Sequence, residues 1–209
     1  MSGRILFAFL TLFRTGLIAL DPISPIERRL PPKGEVIIDE THQTELVQRT
    51  AELKDKVWEV DFKAHAADIG ALVKAVDFAL DHHEFYEENE VPVATEMLDL
   101  AESRLQELAN EEELSWLSER GRIVRGYRSS IDESYQPYGL EIPETLDLAK
   151  PVPLLVWLHG RGDKVTDLHF LKRCLSKSQA FGGFVSDQQD ASILHPFGRQ
   201  CVGWKHAGE

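Results

Sequence analysis

Hydrophobic residues recur every three or four positions through the first half of the folded chain and bunch into short runs in the second half. From Thr41 to about Val60, Leu46, Leu53 and Val57 return at helical intervals among charged residues, which predicts a helix with one apolar face. Ile69, Leu72, Val73, Val76 and Leu80 predict a second helix over residues 64–82, and Met97, Leu98, Leu105 and Leu108 a third that begins after Pro92 and runs to about Leu117. Near Gly121 the period changes. Arg122 to Ser130 and Gln136 to Ile142 are short and richer in β-branched and aromatic residues, and the turn-forming Asp132-Glu133-Ser134 separates them, the pattern of an antiparallel hairpin. The run Leu154-Leu155-Val156-Trp157-Leu158 has no polar side chain on either face, which suits a strand covered on both sides. Thr166 to about Ala180 reads as a helix with Leu168, Leu171 and Leu175 on one side, a cap at Thr166 or Asp167, and Gly182-Gly183 after its end. Ala191-Ser192-Ile193-Leu194 is a short strand that runs into His195-Pro196-Phe197-Gly198-Arg199.

Hairpin, strand, helix, strand is the opening order of an α/β sheet. The expected fold class is therefore α/β: an incomplete sheet over residues 121–209, preceded by an all-helical prefix domain over residues 35–120. Prolines at 22, 25, 31 and 32 make residues 21–34 a linker rather than a regular helix. Ahead of it, Arg4 precedes an apolar stretch from Ile5 to Phe13 in which Thr11 is the only polar residue. A basic start and a short apolar centre are those of a signal peptide, but Arg14 interrupts the segment and no small-x-small cleavage site follows, so export and a cytoplasmic location both stay open. The stretch is too short and too interrupted to span a bilayer, and no membrane span is expected.

Composition narrows the partners. Hydrophobic residues make up 43%, enough for a core, and the formal net charge of −12 excludes a protein that holds nucleic acid by neutralising phosphates with clustered Lys and Arg. A small molecule, a peptide or a protein fits better, and a protein partner would meet the acidic helical prefix. The two cysteines, Cys174 and Cys201, match no zinc or redox spacing and are expected as thiols.

The chemistry sits where the apolar run breaks. His159-Gly160-Arg161-Gly162-Asp163 follows the strand at once, and glycines let a main chain approach an oxyanion closely enough for its N–H groups to stabilise it. Such a pocket serves acyl transfer and needs a nucleophile, yet no GxSxG occurs in the 209 residues. His159, His169, His195 and His206 accompany Asp163, Asp167 and several serines, but no serine has the glycine-flanked context of a nucleophile elbow, so a triad improvised from them is not expected. His82-His83-Glu84, with Glu87, Glu88 and Glu90, reads as a solvated acidic helix end rather than a metal site, because adjacent histidines on a helix diverge. Neither a metal nor a cofactor is expected. Trp58, Trp116, Trp157 and Trp204 read as packing residues, and Arg120, Arg122, Arg125 and Arg128 as strand arginines paired with carboxylates.

Trp157-Leu158-His159-Gly160-Arg161-Gly162-Asp163, preceded by Arg125-Gly126-Tyr127-Arg128-Ser129-Ser130-Ile131-Asp132 and Gln136-Pro137-Tyr138, and followed by Leu194-His195-Pro196-Phe197-Gly198-Arg199, resembles the start of an α/β-hydrolase of the prolyl oligopeptidase and esterase group. Ile26-Glu27-Arg28-Arg29-Leu30-Pro31-Pro32 and the helical prefix are similar to planctomycete-type proteins of the prolyl oligopeptidase family. The resemblance covers residues 120–209 well and the prefix weakly. It implies an incomplete α/β-hydrolase sheet and hydrolysis of an ester or peptide bond through an acyl-enzyme. It assigns the first oxyanion donor to the N–H of Arg161 or Gly162, and gives His159 a bracing role. The nucleophilic serine, the acid and the catalytic histidine are expected beyond Glu209, with Trp204–Glu209 leading towards them, so no catalytic residue is assigned and the chain alone is expected to be inactive. The alternatives are a non-catalytic helical module that binds a protein, and a truncated gene product.

Overall fold

A computed structural model describes residues 31–111, 113–176 and 190–200. The expected signal peptide and most of the proline linker, together with Gly182-Gly183, Cys201, Trp204 and His206, lie outside the described residues.

Helix α1 spans Glu40–Glu59, and Asp39 caps it by accepting the His42 N–H. Its buried residues Leu46, Thr50, Leu53 and Val57 fall at intervals of three or four, so a single face docks while the charged remainder stays in water. Helix α2, Ala67–His82, is buried along most of its length, from Ile69, Leu72 and Val73 to Val76 and Ala79. A helix that is apolar nearly all round belongs in a core, and α2 packs against α1, α3 (Glu90–Ala109) and the sheet. Pro92 falls within the first turn of α3, where a missing N–H breaks no intrahelical bond, which is why the helix starts before the proline and not after it. The end of α3 also differs from expectation. The helix stops at Ala109 rather than near Leu117, because apolar spacing lapses after Leu108 and the Glu107 carboxylate accepts the N–H (2.7 Å) and hydroxyl (2.9 Å) of Ser115. A short 3-10 turn over Ser115–Leu117 then inserts Trp116 into the core.

Strands β1 (Gly121–Arg128) and β2 (Tyr135–Ile142) form the expected antiparallel hairpin. Strand β3 (Leu154–Val156), helix α4 (Asp167–Leu175) and strand β4 (Ser192–Pro196) follow. The sheet order is β1-β2-β4-β3, with β2 and β4 antiparallel and β3 and β4 parallel. The described protein is thus α/β in content, four helices against a small mixed sheet. Gly126 marks the closest approach of the two layers: a Cβ there would lie 2.0 Å from the Ala67 carbonyl oxygen, so any side chain would force α2 off β1. Buried residues of α1, α2 and α3 share one hydrophobic cluster with Val124 of β1, with Leu168, Phe170 and Leu171 of α4, and with Phe197.

Strand β3 overturns one expectation. It is three residues long rather than five, and Leu154, Leu155 and Val156 are 55%, 44% and 54% exposed instead of covered on both faces. The reason is its place at the sheet edge: β4 pairs with one side, and the helices lie over β1 and β2. Among the described residues no strand pairs with its outer side, and an apolar strand edge left so is a template for further pairing.

Candidate functional site

Strands β3 and β4 run parallel and side by side, so both release their chains at the same end of the sheet. After β3 the main chain continues along β4 for one more hydrogen bond, Trp157 N–H to the Leu194 carbonyl at 2.8 Å, and then turns out through Leu158 and His159 into the glycine segment. After β4, Phe197–Gln200 leave from the adjacent position. The His159 ring joins the two loops: Nε2 lies on the Phe197 carbonyl oxygen, Nδ1 lies 2.8 Å from the Gly160 carbonyl oxygen, and the ring packs against Phe170 and Phe197. Both ring nitrogens thus lie against main-chain carbonyls, an arrangement that orients a loop.

Gly160 and Arg161 are exposed and Gly162 is half-buried. A Cβ built on Gly160 would meet nothing within 4 Å, so nothing in the described protein demands a glycine there. The space is free for a group from outside. Gly162 differs, since a Cβ would press on the Val165 side chain at 2.7 Å. The loop ends at Thr166, whose hydroxyl caps α4 by accepting the His169 N–H. Of the expected site, the structure brings His159, Gly160, Arg161 and Gly162 together at the carboxyl end of the parallel strands. Arg161 and Asp163 are exposed there, with Gly162 half-buried between them.

The other histidines go elsewhere. His195 is buried, with Nε2 3.1 Å from Glu141, and His169 contacts the buried Glu90 at 3.2 Å. Ser129 Oγ accepts from the N–H of Ile131 and from the Arg199 guanidinium. Cys174 is a buried free thiol, pushed well up in pKa by desolvation, and packs where a Gly139 side chain would otherwise sit. A protonated, enclosed thiol is not a nucleophile.

Three expectations about side chains need correction. Trp116 is buried, but Trp58 is 76% exposed because it falls one residue past Val57, outside the stripe by which α1 docks. His82 and His83 are solvated as expected, yet Glu84 is only 2% exposed: the left-handed His83 turns the chain inward after α2 and carries Glu84 and Phe85 into the protein. Among the described residues no group of three or more His, Cys, Asp or Glu side chains could hold a metal ion. The strand arginines pair with carboxylates as expected at three positions: Arg122 with Glu141, Arg125 with Asp68, and Arg128 with Asp61 and Glu133. Arg120 differs, its buried Nη1 having no hydrogen-bond partner among the described residues.

Two polar clusters escape the sequence pattern. The first is Asp68, whose carboxylate accepts from Trp116 Nε1 (3.0 Å), Arg125 Nε (3.0 Å) and the Gly126 N–H (2.7 Å) and so ties α2 to β1 and the 3-10 turn. The second is Glu84 with Asp167. Lys74 Nζ lies 2.7 Å from Asp167, and the Gln200 side-chain amide donates to Asp167 at 3.0 Å and reaches Glu84 at 3.4 Å. Burial, and then the charge of Asp167, push the Glu84 carboxyl up to about 7. Neither shows a signal beyond an acidic residue near a helix terminus.

No family model, curated protein or solved structure matches the chain significantly. Among the described residues no helix is long and apolar enough to cross a membrane.

Proposed function

We propose that this chain is the N-terminal part of a serine hydrolase of the prolyl oligopeptidase and esterase group, acting on an ester or peptide bond, and that it carries the oxyanion loop of that enzyme without its nucleophile. One observation carries the reading: the glycine loop leaves β3 beside the carboxyl end of the parallel β4, with an unobstructed Gly160 and with His159 turned inward as a brace. Open α/β sheets bind their ligands at that end of their strands. Amides on such a loop meet a developing oxyanion without reorganising, worth about 2.7–4 kcal/mol of transition-state stabilisation per donor in serine hydrolases. Among the described residues no strand pairs with the outer edge of β3, which supports the same reading, since a hydrolase sheet would continue there. The Arg161 or Gly162 N–H is the donor, and the serine, acid and catalytic histidine come from residues other than these 209.

The purified chain is therefore expected to show no ester or peptide hydrolysis above background and no adduct with a serine-directed phosphonate. The same frame extended downstream is expected to contain GxSxG, then Asp and His, and to label on that serine. Turnover by the 209 residues, abolished by the phosphonate, overturns the reading.

A second reading, a non-catalytic module that binds a protein, draws on one feature. A groove of about 910 Å³ opens where residues 35–39 meet α1 and α3, with Val36, Ile38 and Val91 beside Glu35, Glu45, Glu88 and Glu96. An apolar floor with an acidic rim suits a basic peptide. On this reading the extended frame yields no nucleophile.

A further inference from the structure

The loop after β4 is held in a conformation that its sequence does not favour. Gly198 and Arg199 both lie in the left-handed region, at φ 67° and 66°. Such a backbone is unfavourable for a non-glycine residue and persists where the surroundings enforce it. For Arg199 the surroundings are the tip of the β1–β2 hairpin. Its Nη1 donates to Asp132 Oδ2 at 2.7 Å, and its Nη2 donates to Ser129 Oγ at 2.8 Å and to Asp132 Oδ1 at 3.3 Å. Asp132 is itself fixed, accepting from the Ser134 N–H (3.1 Å) and hydroxyl (2.6 Å), and the Arg199 hydrogen bonds, followed by these two, hold its carboxyl far below the usual range. Ser129 is buried. The fork therefore clamps a short loop to the rigid end of a hairpin.

Two residues before the clamp, the Phe197 carbonyl receives His159 Nε2, while His159 Nδ1 faces the Gly160 carbonyl. A neutral imidazole has one N–H to share between these two oxygens, so the position of the Phe197 carbonyl decides which nitrogen keeps the proton. We infer that Arg199 is a positioning residue for the glycine loop: by locking residues 197–200 to Ser129 and Asp132 it sets the Phe197 carbonyl, which sets the His159 ring and with it the main chain at Gly160–Gly162. The purpose of this relay rests on the oxyanion reading. Its geometry does not. Asp132 and Ser129 act one step further out, as the anchor.

The test reads the ring and the loop on the full chain, in ¹⁵N spectra of the histidine side chains and backbone amides at a pH where His159 is neutral. The wild type is expected to hold His159 as the Nε2–H tautomer. Arg199→Ala is expected to move most of that population to Nδ1–H and to shift the Gly160 and Gly162 amides, leaving those of α1–α3 in place. Arg199→Lys, which keeps a charge on Asp132 but cannot fork to Ser129, is expected to restore part of the wild-type tautomer. A folded Arg199→Ala chain with unchanged His159 and loop signals overturns the proposal. Should that variant not fold, Asp132→Asn on the exposed turn carries the same comparison, and an unaltered tautomer there overturns it equally. Absence of a downstream nucleophile would sink the oxyanion reading and leave these spectra untouched, so the two failures are distinct.

Discussion

Asp68→Ala is expected to cost about 3–5 kcal/mol of folding stability, the range seen when one partner of a buried charge pair is removed. Asp68 is 1% exposed and is the common acceptor for Trp116 Nε1, Arg125 Nε and the Gly126 N–H. Its loss leaves these donors facing a dry cavity. Arg104 makes the position worse: its guanidinium is buried over the Trp116 ring, donates to the carbonyls of Asp68 and Val124, and has its pKa lowered by burial against the pull of the Asp68 charge. Without that carboxylate the site holds two arginines and has lost the carboxylate that acts most strongly on Arg104 and pairs with Arg125. Asp68→Asn keeps an acceptor and discards the charge, so it should fall between wild type and alanine. Urea unfolding of the three chains checks the order, and an alanine penalty below about 1 kcal/mol, the scale of a surface ion pair, would contradict it.

The Glu84 and Asp167 pair should act in the opposite sense. A carboxyl raised from 4.5 to about 7 binds its proton more tightly in the folded chain than in the unfolded one. Folding is then favoured below the unfolded value, and this contribution is lost as pH rises through the window from about 4.5 to 7, by roughly 3 kcal/mol at 1.36 kcal/mol per pH unit. Above that window Glu84 is charged beside the charged Asp167, with Lys74 in contact with Asp167 and the Gln200 amide bridging the pair. Glu84→Gln resembles the protonated acid at every pH. The variant is therefore expected to match the wild type near pH 4.5 and to exceed it by up to that amount at pH 8. Parallel stability curves for the two chains would show that the site does not titrate in this way.

Much of the architecture was legible in the residue pattern because the helices are amphipathic and the hairpin alternates about a polar turn. Leu46, Leu53 and Val57 lie buried on α1 as their spacing requires, and Thr166 caps α4. Errors fall where tertiary context overrides local pattern. An apolar run does not say whether a strand lies inside a sheet or at its edge, so Leu154–Val156 looked covered and are exposed. Pro92 looked like a start signal because proline also suits the first turn. The expected domain division near residue 120 coincides with the change from helix to strand, while one hydrophobic cluster runs across it. Glycine spacing after an apolar run located the candidate loop, but its brace on Phe197 joins residues 38 positions apart, which no local pattern encodes. Glu84 hid for a similar reason, since an acid after two histidines at a helix end reads as solvated until the left-handed His83 turns it inward.

The central claim concerns main-chain amides whose N–H groups donate to a negative oxygen. It is tested most directly by titrating the ¹⁵N-labelled chain with methylphosphonate, a tetrahedral anion, and following each amide. The account predicts saturable, concerted downfield shifts at Arg161 and Gly162, with smaller movement at Gly160 and none in α1–α3. Amides of the glycine loop that stay still, while the anion moves only lysine-rich surface elsewhere, would contradict it.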